Sequence, residues 1–322
     1  NKHGHNLITL LCCDPTVLPI KALMGFETED DITLKALKWL GSLKVPVSQE
    51  TSSGIFPLHT AARYNRIDVI DLLLENGENI DVESASGKTA LTEAAQYGRL
   101  AAVRRLLSQG ARVDYMTSVN HTTALIAASR SGHSAIVEAL IHAGASVDKP
   151  NPSTGLSALH VCMQEGSLGA FCVMQSYSMR TEQNFEGKMQ VFSIAVALGR
   201  NDIVVVLLQS GLNVNGCNEY GRTPLMEASI GGQNDMIRLL TDFEADVSTE
   251  SELTLSDSIL STFASTDREF ERPSIPEALL NHRITALCLA AVCNQLSAFD
   301  ELIKAGADVN QETNGKTALM WA

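Results

Sequence analysis

One position in this chain of 322 residues repeats like the marks on a ruler. Leucine stands at Leu58, Leu91, Leu125, Leu159, Leu225, Leu287 and Leu319, with Phe192 filling the one gap in register. The steps are 33, 34, 34, 33, 33, 62 and 32 residues. A globular core imposes no such period, whereas one supersecondary unit of 33 residues copied end to end does. Each copy can bury its apolar face only against its neighbours. The ruler therefore predicts an all-α solenoid and makes function a question of the surface that the stack presents.

The residues around each mark are similar. Gly54-Ile55-Phe56-Pro57-Leu58-His59-Thr60-Ala61-Ala62 is matched by Gly87-Lys88-Thr89-Ala90-Leu91, Gly221-Arg222-Thr223-Pro224-Leu225 and Gly315-Lys316-Thr317-Ala318-Leu319. Seven residues after the mark stands a glycine (Gly98, Gly132, Gly166, Gly199, Gly232) or an asparagine (Asn65, Asn294). An apolar run follows, such as Val69-Ile70-Asp71-Leu72-Leu73-Leu74, and the unit closes with a Gly-Ala step as in Ala305-Gly306-Ala307-Asp308-Val309-Asn310. A Thr or Ser before the mark caps a helix, and Pro or Ala suits the first helical position. The residue at plus seven ends that short helix in a left-handed conformation. The apolar run is a second, longer helix, and the Asp/Asn/Gly stretch after it is a turn.

Helix, turn, helix and hairpin in this order resemble the ankyrin repeat, on its Thr-Pro-Leu-His and Gly-Ala-Asp-Val-Asn signatures. The resemblance covers 53–322 and gives about seven recognisable repeats plus degenerate capping units. Repeats one to six span 53–248, and repeat seven with the start of an eighth spans 283–322. Two repeats depart from the pattern. The fourth keeps Ser157-Ala158-Leu159-His160 but has Tyr177-Ser178-Met179 where Gly-Ala is expected. The fifth begins Gln190-Val191-Phe192-Ser193, without the capping Thr or the His, and is kept in register by Gly199.

Two regions break the ruler. Residues 1–52 lack the motif but predict helices over Leu7–Cys13 and Ile32–Leu43; they are either N-terminal capping repeats, which must be atypical because one face meets water, or the tail of a preceding domain. Residues 249–282, acidic and rich in Ser and Thr, predict a helix over Leu255–Phe263. They are either a worn repeat or a long hairpin insertion open to phosphorylation. The chain reads as part of a longer protein, since it lacks an initial Met and stops just inside a repeat.

The formal net charge of −13 argues against a general nucleic-acid binder. No apolar run reaches the 18 residues needed to cross a bilayer. Seven cysteines, odd in number and without a Cys-x-x-Cys pair, fit reduced thiols in the cytoplasm or nucleus. Gly87-Lys88-Thr89 and Gly315-Lys316-Thr317 suggest a phosphate loop, but Val82 and Asn310 stand where that loop needs its first glycine. His59 and His160 occupy the motif histidine, which in the resembled family ties the loop by hydrogen bonds. Nothing in the chain argues for catalysis, a metal or a cofactor, so it is expected not to be an enzyme.

At 100° per residue, the mark and the residues three and four after it face the core. Residues two and five later point away, with the sixth on the edge. In the resembled family that outer face lines a concave groove where partner proteins dock. Repeats one to three present Arg63, Tyr64, Gln96, Tyr97, Arg130 and Ser131, types suited to protein binding. Later repeats present Ala197, Leu198, Ile230, Leu289 and Val292, with Tyr220 and Arg222 on a hairpin. This apolar strip is expected to be covered, by a partner peptide or by the Leu255–Phe263 helix. Asn215 and Asn310, each ending a Val-Asn pair, resemble the hairpin asparagine that is hydroxylated in many ankyrin repeats.

The expected function is non-catalytic recognition: a scaffold or adaptor docking a peptide segment of another protein, with no nucleic acid, membrane insertion or small-molecule substrate. Two alternatives are a reader of basic, histone-like tails and the regulatory ankyrin portion of a larger enzyme such as a ubiquitin ligase or kinase.

Overall fold

A computed structural model describes residues 54–178, 185–218, 220–252 and 282–322. The helices expected over Leu7–Cys13, Ile32–Leu43 and Leu255–Phe263 lie outside the described residues. The chain divides into two compact units, 1–177 and 178–322.

Among the described residues of the first unit, four helix pairs follow one another: α1 (Pro57–Arg63) and α2 (Ile67–Glu75), α3 (Ala90–Gln96) and α4 (Leu100–Ser108), α5 (Ala124–Arg130) and α6 (Ser134–His142), α7 (Ala158–Glu165) and α8 (Leu168–Ser178). The shorter, odd-numbered helices stack in one row, α1 on α3 on α5 on α7, and α2, α4 and α6 stack in a second.

The second unit repeats the plan. Its described helices are α9 (Phe185–Ala197), α10 (Asn201–Gln209), α11 (Pro224–Ile230), α12 (Asn234–Asp242), α13 (Ala286–Val292), α14 (Leu296–Lys304) and α15 (Ala318–Trp321). The inner row runs α9, α11, α13, α15 and the outer row α10, α12, α14.

The helices begin and end where the side chains direct. Thr89, Thr123, Thr223 and Thr285 each accept the backbone N–H three residues on, closing the first turns of α3, α5, α11 and α13. Seven residues after the marks from Leu58 to Leu287 φ is positive, from 54° at Asn294 to 75° at Gly166, and this ends the inner helix of each of those repeats. The fifth repeat lacks the capping Thr, and α9 accordingly runs for 13 residues instead of seven. Leu58, Leu91, Leu125, Phe192, Leu225 and Leu287 are buried; Leu159 is half-buried, and Leu319 on α15 is exposed.

The 62-residue step in sequence is a single step in space. Helix α11 packs directly on α13 and α12 on α14, and Arg238 of α12 holds Glu301 of α14 through two bonds of 2.8 and 2.9 Å. The chain leaves this stack at β1 (Ser251–Glu252) and returns at β2 (Arg283–Ile284), which pair antiparallel with Glu252 opposite Arg283. Gly221, at φ 70°, accommodates that pair: a Cβ there would collide with the Glu252 carbonyl oxygen.

Candidate interaction groove

Hairpin side chains flank the face that α3 and α5 present. The hairpins are tied to one another in sequence order. Arg112 donates its backbone N–H and its guanidinium to Asp81, and Ser118 donates to Glu83. The Asn120 amide donates to the Ser86 carbonyl at 3.0 Å, and the Asn151 amide to the Asn120 carbonyl at 3.2 Å. Gly87, the first residue of the Gly-Lys-Thr step, lies against Val119 so closely that a Cβ would collide with it. That glycine is therefore a packing requirement between hairpins.

His59 ties the same layer from below. Its Nε2 lies 2.7 Å from the Lys88 carbonyl oxygen and 3.1 Å from that of Val82, and donates to them. Burial lowers its pKa, outweighing the carbonyl contacts and the charge of Glu93, which keeps the ring neutral. His160 accepts from the Ser157 backbone N–H at 3.3 Å and is also held neutral by burial. Both histidines are structural.

A groove of about 410 Å³ opens between α3, α5 and the hairpins. Gln96, Arg130 and Ser131 line it, as their positions predict. Lys88, Thr92, Val119, Asn120, Asn151 and Thr154 line it as well and are not singled out by helix angle, because they belong to hairpins or, for Thr92, to the residue directly after the mark. The ladder of turn asparagines was the available signal. Lys88 Nζ donates to the Gln96 amide oxygen at 2.7 Å, and Val119 is 60% exposed.

Arg63, Tyr64 and Tyr97 stand on the adjoining seam, between α1 and α3. The Arg63 guanidinium bonds both carboxylate oxygens of Glu93, at 3.1 and 3.3 Å, and lies 4.6 Å from the centroid of the Tyr97 ring. Burial opposes the Arg63 charge, but the Glu93 bonds prevail and its pKa is raised. Lys88 Nζ also reaches Glu93, 3.4 Å from Oε1. Tyr64 and Tyr97 are each 40% exposed.

The second unit overturns part of the expected surface. Ile230, Ala197 and Leu289 are buried, and Leu198 and Val292 half-buried. A helical wheel treats each inner helix as isolated, whereas in the stack the fifth residue after one mark meets the second residue after the next. Arg63 and Glu93 occupy that seam and are long enough to leave it. Ile230 and Leu289 occupy the same two positions and, being apolar, remain inside. Tyr220 and Arg222 are also buried and are withdrawn from the partner-facing set. Arg222 packs over the Tyr220 ring and reaches Glu227 at 3.4 Å, while Asn218 donates to Glu227 at 3.2 Å. Glu227, wholly buried, requires these partners. Asn215 and Asn310 both fall on hairpin turns. The Asn215 side-chain oxygen accepts the Asp246 N–H of the next hairpin at 2.8 Å, and Asn310 is exposed.

Comparison with known proteins agrees with this geometry. The model for three copies of ankyrin repeats matches 31–117 and 159–251, and that for the single ankyrin repeat matches 120–152 and 282–314, together well over half of the chain. The chain belongs to the ankyrin-repeat family. Ankyrin repeats are protein–protein interaction modules, which gives this ankyrin-repeat chain its general function. The ankyrin repeat, SAM and basic leucine zipper domain-containing protein 1 of Colobus guereza is 33% identical over 85 residues, 24% of this chain and 18% of the relative. That of Nomascus leucogenys is 35% identical over 80 residues, 23% and 17% of the two chains. The match thus covers less than a fifth of those curated relatives. The crystal structure of the human ASB11 ankyrin repeat domain superposes with a TM-score of 0.57 at 24% identity, over 79% of this chain and 99% of that one, a likeness of fold. Among the described residues no His, Cys, Asp and Glu cluster has metal-binding geometry, and no helix is long and apolar enough to cross a membrane.

Proposed function

We propose that this ankyrin-repeat chain is a non-catalytic scaffold that docks an extended segment of a partner protein in the groove over α3 and α5. The observation that carries this reading is the groove itself. Its floor is two inner helices, its walls are hydrogen-bonded hairpins, and Gln96, Arg130 and Ser131 present unlike side chains along it. Such a trough suits an extended chain, whose side chains enter while its backbone meets the amide and hydroxyl groups of Asn120, Thr122 and Asn151. Tyr64 and Tyr97 supply rigid contact area on the adjoining seam. The cations in the groove favour this reading over a basic-tail reader. Cys162, Cys172, Cys217, Cys288 and Cys293 are free thiols, which suits a reducing compartment, the cytoplasm or nucleus.

A photo-crosslinking residue placed at Ser131 in cells is expected to capture the partner, while the same residue at Arg104 on the outer helix α4 is not. Tyr97→Ala should weaken capture without changing the melting temperature. Equal capture from both positions refutes the placement in the groove.

A further inference from the structure

We infer that this groove selects acidic segments, with an Asp or Glu side chain of the partner docking on Arg130 and Lys88 as the second cation. The inference rests on the docking reading above and adds the chemistry of the partner. Arg130 and Lys88 are the charged residues of the groove lining, and the lining has no carboxylate. The remaining polar residues, among them Gln96, Asn120 and Ser131, include hydrogen-bond donors suited to a carboxylate.

Arg130 lacks a partner, as Arg104 on the outer helix α4 does, but of the two only Arg130 lines the groove. Many of the other described arginines hold acids: Arg63 with Glu93, Arg105 with Asp71, Arg112 with Asp81, Arg222 with Glu227 and Arg238 with Glu301. Arg130 is exposed and has no hydrogen-bond or ion-pair partner among the described residues. In a chain with 37 acidic side chains against 24 basic ones, an arginine left open inside a walled groove is not explained by a shortage of acids. Glu93, the nearest carboxylate on α3, is already engaged by Arg63 and Lys88 and does not cancel the groove's charge. A guanidinium fork matches a carboxylate through two parallel bonds, which gives orientation as well as attraction. Val119, exposed on the rim, offers an apolar contact for a neighbouring side chain of the bound segment.

The test is selection of random dodecapeptides on the full chain, followed by fluorescence polarisation of the selected peptides. The recovered peptides should be enriched in Asp and Glu. Replacing those residues by Asn and Gln should weaken binding about tenfold, and Arg130→Glu should do the same with the melting temperature unchanged. Lys88→Gln should have a smaller effect, since Gln96 and Glu93 already occupy its ammonium. Binding should weaken between 50 and 300 mM salt. Enrichment of neutral or basic peptides, or affinity indifferent to Arg130→Glu, overturns the acidic preference and leaves the docking reading standing. Recovery of no peptide from the whole library overturns both. A phosphoserine in place of the acid that tightens binding a hundredfold, or equal binding of a twelve-nucleotide oligothymidylate, overturns the assignment to a carboxylate.

Discussion

Glu78 is a buried acid at a position where other repeats place alanine. It follows Gly77 as Ala111 follows Gly110 and Ala145 follows Gly144, and like them it is buried. Burial raises its carboxyl to about 7 from an ordinary 4.5, against a smaller opposing pull from the Leu58 amide. Each pKa unit is worth about 1.4 kcal/mol, so holding the ionised form in the folded chain costs about 3 kcal/mol. The sign follows from proton counting. Below pH 4.5 the carboxyl is protonated in both states and there is no penalty. Between pH 4.5 and 7 the unfolded chain loses the proton first, so stability falls as pH rises. Above pH 7 the full penalty persists. Glu78→Gln keeps the volume and removes the charge. It should match the wild type at pH 4.5 and exceed it by about 3 kcal/mol at pH 8, an upper estimate equal to about 1 M or more in urea midpoint. Urea unfolding followed by far-UV circular dichroism at pH 4.5, 6, 7 and 8 reads the difference, from which the other titrating groups cancel. A difference that is flat across this range, or that grows toward low pH, refutes the burial of the charge.

Other perturbations address the rest of the stack. Leu125→Ala removes a wholly buried side chain from α5 and should cost about 2–5 kcal/mol by denaturation; an unchanged midpoint would contradict its place in the core. Arg222→Met strips the guanidinium from a buried carboxylate and should cost about 3–5 kcal/mol, with much of the loss recovered in the double variant that adds Glu227→Leu; if the two losses simply add, the pair is not coupled. Glu244 holds a φ of 64° at the hairpin position where Gly77, Gly110, Gly144, Gly211 and Gly306 stand, so Glu244→Gly should raise stability by about 0.5–1 kcal/mol, and a lower melting temperature would show the strain to be absent.

The inner helices and their ends were legible in the sequence because their determinants are local. A threonine one turn from an amide and a left-handed residue seven positions after a leucine act within a single repeat. Arg63, Tyr64, Gln96, Tyr97, Arg130 and Ser131 were legible for the same reason. Ile230 was not, since whether the fifth position is open depends on how far its side chain extends and on the second residue of the next helix. Tyr220 and Arg222 were misplaced because the partner that draws Arg222 inward, Glu227, is itself a wholly buried acid. Lys88, Asn120 and Asn151 were missed because a helix angle carries no information about a hairpin wall.

The pairing of Ser251–Glu252 with Arg283–Ile284 has a consequence for how this protein can change. Thirty residues lie between Glu252 and Arg283, yet the strand pair brings the two ends to within about 5.5 Å of each other. With its mouth closed in this way, the stretch is a port in the array. Because α11 packs directly on α13 and α12 on α14, the stacking on either side does not depend on the length of chain between the two strands. New sequence can be acquired there, or lost, without re-registering any repeat. A fluorescent protein or an affinity tag spliced between Glu252 and Arg283 therefore stands a better chance of leaving the fold intact than the same insert in a hairpin whose side chains wall the groove.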